Sequence, residues 1–266
     1  MVSSRITCYD DQVRLTDDAP VIILEGDEYL SSQIDRTPKF HQYNPHITLL
    51  SGISWDHMNV FRTFSSYKKQ FQKFLRIATG GGKVFYFEGD PVLGDVVDKS
   101  HWSLMKIPYG EHPHTIEDKR FLLKTKDGSI PLYLIGAHTP YSVEATINAF
   151  RQTYAGHRLV TCLELHTYSS LNQEYLPLYE GSLRESDQAM VYYNPSVVKN
   201  KKLPGLSQDV VKEYFGKKEL EVYNDSSLLA DDLRQLKENT LVLLLLTTGN
   251  FSGLDLNKLA AQVANR

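Results

Sequence analysis

Glu25, Asp27 and Glu28 stand in one short acidic burst and Asp56 and His57 in another. Each burst follows an apolar run, Val21-Ile22-Ile23-Leu24 before the first and Ile47-Thr48-Leu49-Leu50-Ser51-Gly52-Ile53 before the second. Carboxylates are hard oxygen ligands suited to Mg2+, which keeps several waters and needs only one or two of them from a protein. Imidazole is not a preferred Mg2+ ligand, and a lone His is more often structural, so Asp56-His57 gains weight only if the two bursts meet. Continuous apolar runs are typical of a parallel sheet covered on both faces, and such sheets bind ligands beyond the carboxyl ends of their strands. The interval from Glu25 to His57 is about that of one strand-crossover-strand unit. The sequence therefore predicts two neighbouring strands whose ends let Glu25 and His57 share one ion. The bland alternative for Glu25, Asp27 and Glu28 is a solvated acidic turn capping a following helix.

Three further stretches carry polar groups where chemistry is possible. Thr79-Gly80-Gly81-Gly82-Lys83-Val84 has the look of a phosphate loop, but Val84 replaces the hydroxyl, a helix precedes and a strand follows, so it is predicted to be a turn. Thr247-Thr248-Gly249-Asn250-Phe251-Ser252-Gly253 follows the most apolar segment, and could bind an anion through backbone donors or only make a tight turn. Glu164-Leu165-His166-Thr167-Tyr168-Ser169-Ser170 lies at another strand end, where it could contact substrate or supply a helix N-cap through Ser169 or Ser170.

The elements that must position these groups follow from periodicity. Apolar residues at helical spacing predict a helix over 64–77, ended by the three glycines, and then short strands over 83–87, 121–124 and 130–135 as a β-rich edge of a first domain. From Ser142 helix and strand alternate. Helices are expected over 143–154, 171–179, 207–215, 226–237 and 254–263, and strands over 158–165, 189–193, 220–223 and 241–247. That alternation predicts an α/β chain with a doubly wound second domain and a boundary near 135–141, giving domains 1–136 and 137–266.

Composition narrows the partners. A hydrophobic fraction of 41% and a net charge of −3 give no electrostatic case for nucleic acid and favour a small-molecule substrate. Cys8 and Cys162 are too few for a disulfide framework or a cysteine zinc site. No apolar run is long enough to span a bilayer, and no signal-peptide core precedes Asp10, so a cytoplasmic protein without membrane contact is expected.

Taken together, Leu15-Thr16-Asp17-Asp18-Ala19-Pro20, Glu25-Gly26-Asp27-Glu28-Tyr29, Pro38-Lys39-Phe40-His41, Leu50-Ser51-Gly52-Ile53-Ser54-Trp55-Asp56-His57 and Leu163-Glu164-Leu165-His166-Thr167 resemble the Mur ligase family from about Tyr9 onward. The resemblance is to its peptidoglycan-recycling branch, and it implies part of a P-loop-type central domain followed by a Rossmann-like C-terminal domain. It further implies ATP and Mg2+ as cofactors, UDP-N-acetylmuramate and a murein tripeptide as substrates, and amide-bond formation through an acyl phosphate. Glu25 and His57 match positions that hold Mg2+ and carry the catalysis, with Asp27, Glu28 and Asp56 near the nucleotide. His138, His166 and Asn250 are the expected substrate-binding residues of the C-terminal domain.

The departures from that pattern are equally specific. The family's sugar-nucleotide domain and its G-x-x-G-K-[ST] loop are expected to lie before this chain. Gly136-Ala137-His138-Thr139-Pro140 resembles two family motifs fused into one, with Ile135 in an acidic residue's place and Thr139 where an adenine-contacting Asn is expected. Weak ligation by the chain alone is therefore anticipated, as is an exposed apolar surface favouring self-association or a complementing N-terminal half. A non-catalytic murein-peptide-binding module is the rival, and a metal-dependent hydrolase built on Asp56-His57 ranks last because no third ligand follows at close spacing.

Overall fold

The computed structural model describes residues 16–110, 132–236 and 241–264. The chain divides into two compact units, Met1–His112 and Pro113–Arg266. In the first, β1 (Ile47–Leu50), α1 (Phe64–Ile77), β2 (Lys83–Phe87), α2 (Pro91–Asp98) and β3 (Met105–Tyr109) form a three-stranded parallel sheet in the order β1-β2-β3. Tyr67, Phe71, Phe74 and Leu75 fall on one stripe of α1 and are buried with Leu50, Val84, Leu93, Val96 and Val97, so one face of the sheet is covered. The register aligns Ile47, Lys83 and Met105, and Leu49, Phe85 and Ile107, on the other face. There Ile47 is 65%, Leu49 68% and Met105 56% exposed, unusual for a parallel sheet.

The run Val21–Leu24 is not a strand. It pairs with no strand among the described residues, and Val21, Ile22 and Ile23 lie exposed. β-propensity measures fit to a neighbouring strand and a buried face, and this segment has neither. The expectation of two adjacent strands carrying the acidic and Asp-His bursts is thereby corrected. The glycine stretch is the predicted turn: Gly82 donates to the Thr79 carbonyl, Gly81 has φ 80°, and a Cβ on Gly82 would meet the His46 carbonyl oxygen at 2.7 Å.

In the second unit, β4 (Leu132–Ile135), α3 (Pro140–Thr153), β5 (Arg158–Leu165), β6 (Gln188–Tyr193), α4 (Pro195–Asn200), α5 (Gln208–Phe215), β7 (Glu221–Tyr223), α6 (Ser226–Gln235), β8 (Leu241–Leu246) and α7 (Leu256–Ala264) build a parallel sheet in the order β4-β8-β5-β6-β7. Leu132–Ile135 pairs with β8 rather than edging the first sheet, because its buried Leu132 and Tyr133 need a strand partner and the Leu-rich β8 supplies one. The segment 121–124 lies outside the described residues. Only a single 3-10 turn, Leu176–Tyr179, appears within the helix expected over 171–179. Pro177 has no N–H to donate there and its ring obstructs a preceding carbonyl. The turn upstream is closed by Thr167, whose hydroxyl accepts from Ser170 N–H at 3.1 Å, so Thr167 does the capping expected of Ser169 or Ser170.

Candidate functional site

In the first unit the acidic burst folds back on itself. Asp27 Oδ1 accepts from the Tyr29 N–H at 2.8 Å, and its Oδ2 receives Lys39 Nζ at 2.6 Å. Backbone bonds from Lys39 N to Tyr29 O and from Phe40 N to Asp27 O lock this turn against the segment around Pro38. Burial pushes the Asp27 carboxyl up, but the Lys39 hydrogen bond, the Tyr29 N–H and the Lys39 and His57 charges together hold it below the ordinary carboxylate value. Asp27 is thus committed to Lys39, a partner that its position in the sequence did not announce.

His57 arrives from the other side. The loop after β1 is fixed by Asp90, whose Oδ2 accepts from Ile53 N at 2.7 Å while its Oδ1 caps α2 through Val92 N and Leu93 N. His57 has φ 54°, a left-handed conformation that few non-glycine residues adopt. Its N–H is held by Asp56 Oδ1 at 2.6 Å, and its carbonyl accepts from Val60 N and Phe61 N. Its ring stands edge-on to Tyr29 with centroids 5.1 Å apart. Its Nε2 lies 3.5 Å from Glu28 Oε1, which also accepts from the Tyr67 hydroxyl at 2.8 Å.

The two bursts therefore meet, with Glu28 beside His57. Glu25, three residues earlier, is exposed. Among the described residues no group of three or more His, Cys, Asp or Glu side chains is gathered to hold a metal. The Glu28 carboxylate is a hard oxygen ligand of the kind Mg2+ takes one or two of from a protein, its other ligands coming from water and phosphate oxygens, while the imidazole beside it is not a preferred Mg2+ ligand.

In the second unit the expected substrate residues share one edge of the sheet. His138 follows β4, His166 follows β5 and Asn250 follows β8, and these three strands are neighbours with Ile135 and Leu163 both registered to Leu246. β5 leads on toward β6 and β7, whereas the chain returns across it to reach β8. The sheet order thus reverses between β5 and β8, the position where open α/β sheets bind ligands. The His138 carbonyl accepts the Tyr179 hydroxyl, and Asn250 Oδ1 accepts from Gly253 N at 3.1 Å. In the loop after β8, Gly249 N bonds Thr247 Oγ1, Phe251 N bonds Glu164 Oε2 and Gly253 N bonds Asn250 O. These three amides are spent on protein oxygens, which favours a built turn over a backbone anion cradle at this loop.

The roles of four residues were not read from the sequence, although Lys39 and Ser252 lie in stretches it marked: Lys39, Tyr67, Asp90 and Ser252. Asp90 carried a signal, an N-cap residue followed by Pro91 at the first helical position. Ser252 carried none, since its two partners, Tyr192 and Asn194, come from β6 and its edge.

No family model matches the chain. Over 138 residues it is 28% identical to the UDP-N-acetylmuramate--L-alanyl-gamma-D-glutamyl-meso-2,6-diaminoheptandioate ligase of Escherichia coli, a match covering 48% of this chain and 30% of that protein. A murein peptide ligase from Psychrobacter arcticus superposes with a TM-score of 0.54 at 14% identity, over 91% of this chain and 62% of the other. The MurF ligase from Thermotoga maritima, solved in complex with ADP, gives 0.55 at 11% identity over 83% and 61%. The chain thus spans less than two thirds of the length of the relatives it matches. With those limits of length, the chain resembles the Mur ligases in sequence and has their α/β fold.

Proposed function

We propose that this chain works in ATP-dependent amide-bond formation of the Mur type, in peptidoglycan recycling, with UDP-N-acetylmuramate and a murein tripeptide as substrates. The observation that carries this reading is the meeting of Glu28 and His57 at 3.5 Å, with His57 held in a left-handed conformation. Backbone strain of that kind is retained where the surroundings over-determine it, and it clusters at functional sites. Glu28 and His57, with Glu25 nearby in sequence, would hold Mg2+, and Asp27 and Asp56 would brace them. The ion would supply charge compensation between nucleotide phosphates and a substrate carboxylate as the acyl phosphate forms. Asp56 fixes the His57 backbone, Tyr29 and Tyr67 fix the imidazole and the Glu28 carboxylate, and Lys39 keeps Asp27 ionised. His138, His166 and Asn250, at adjacent strand ends, would receive the peptide.

The 266 residues contain no G-x-x-x-x-G-K-[ST] sequence. Phosphoryl transfer depends chiefly on positioning, so the chain alone should ligate very weakly. Calorimetry with the tripeptide, with and without ATP and Mg2+, tests the reading: tripeptide affinity should rise when nucleotide and metal are present. Binding unchanged by either would favour the rival, a non-catalytic peptide-binding module. A second reading, half of a split ligase, draws on Ile47, Leu49 and Met105, exposed on one sheet face, which a complementing half would cover.

A further inference from the structure

Glu164 is the only charged residue among the buried side chains of the described residues, 3% exposed. It continues the row Val160, Cys162 on a sheet face that also carries Leu132, Met190, Leu241, Leu243 and Leu245, with Gln188 and Glu221 toward β7. A buried carboxylate in such a row is costly unless it is bonded, so packing does not explain it. Its Oε2 accepts the Thr247 hydroxyl and, at 2.9 Å, the Phe251 N–H. Its Oε1 lies 3.8 Å from His166 Nδ1, an ion-pair approach longer than a hydrogen bond.

The loop after β8 closes over this carboxylate. A Cβ on Gly249 would lie 2.7 Å from Glu164 Oε2 and 2.8 Å from both Cγ and Nδ1 of His166, so backbone lies directly against both groups. Phe251 and Ser252 follow with φ 48° and 58°, conformations costing about 1–2 kcal/mol per residue. Bonds from Phe251 N to Glu164 Oε2, and from Tyr192 and Asn194 to Ser252 Oγ at 2.7 and 2.6 Å, offset that strain. The His166 side chain remains 39% exposed.

We infer that Glu164 is a positioning residue: from inside the sheet it fixes the β8–α7 loop and the His166 ring against each other, so that His166 presents Nε2 to an ammonium group. A carboxylate beside Nδ1 favours the proton on that nitrogen and leaves the lone pair of the neutral ring on Nε2. The fitting ligand is a peptide amino terminus, as acceptor contact rather than charge pairing. This ligand class rests on the proposed function, whereas the positioning role does not.

Imidazole 1H–15N correlation spectra of the full chain at alkaline pH, with His166 assigned through His166→Gln, read the tautomer directly. The native chain should show chiefly the Nδ1–H form. Glu164→Gln, close in shape and able to accept from Thr247 and Phe251 through its carbonyl oxygen, turns an NH2 toward Nδ1 and should move the ratio at least threefold toward Nε2–H. Gly249→Ala, which changes no charge, should displace the ring and alter its shifts while leaving the Nδ1–H preference. A tautomer ratio unchanged in Glu164→Gln overturns the inference, whatever the peptide does. Calorimetry then compares the tripeptide with its N-acetylated form: native chain should prefer the free amine at least fivefold, and Glu164→Gln should lose that preference. A tautomer shift without tripeptide binding by the native chain would leave the positioning role standing and overturn the proposed function together with the ammonium ligand.

Discussion

His57 Nε2 lies 3.5 Å from Glu28 Oε1, and both groups are held from outside the pair, the imidazole by its T-shaped contact with Tyr29 and the carboxylate by the Tyr67 hydroxyl. Neither side chain sits on a strand. His57 comes after a loop that Asp90 pins at Ile53, and Glu28 sits in a turn closed by Lys39. The pair is therefore a product of loop packing, and its parts can be removed singly.

Glu28→Gln and His57→Ala should each weaken Mg2+-dependent nucleotide binding by about tenfold or more, the scale on which metal-site residues act. Titration calorimetry with ATP in Mg2+ and in EDTA checks this, and equal affinities for native and variant chains would exclude the pair from the site. His57→Gly relieves the left-handed strain, so it should keep or raise stability while losing the same affinity.

Asp27 and Lys39 predict a pH dependence. The folded Asp27 carboxyl is held below its ordinary value, so the stability it contributes is present above about pH 4 and is lost as pH falls through the folded value. Lys39 is raised by its hydrogen bond to Asp27, so its contribution is complete below its unfolded pKa and fades as pH rises through the folded one. Urea unfolding of native chain and Asp27→Asn should differ by up to about 1 kcal/mol at pH 7, the scale of a partly exposed pair, and converge near pH 2.

Asp90→Ala removes two N-cap bonds to α2 and the bond that holds Ile53. A cap contributes about 1 kcal/mol and a further hydrogen bond about 1 more, so a loss of about 2 kcal/mol is expected in chemical denaturation. Glu at this position should restore less than half, because its longer side chain misplaces the oxygens.

The apolar residues exposed on one face of the first sheet predict association. Ile47 and Leu49 are exposed beside Phe85 and Ile107 in register, and exposed apolar patches mark interaction surfaces. Size-exclusion chromatography of the native chain should show concentration-dependent elution. Ile47→Lys with Leu49→Lys should bring it to the monomer position, and a native chain already monomeric at every concentration would remove this expectation.

By itself the sequence determined α1, β2 and β5 to their end residues, because strong 3.6-residue and apolar patterns are bounded there by an N-cap threonine, glycines or charged neighbours. It also located the two bursts and the polar ends of β5 and β8, since residue type and order need no third dimension. It did not show that Val21–Leu24 stays unpaired, because a strand is stabilised by its neighbour and the neighbour is not written in the segment. Nor could it show that Glu28 comes to lie beside His57, or that Glu164 turns inward beneath Gly249. Those choices depend on distances of a few ångströms between residues remote in the chain, and only the packed tertiary structure sets them.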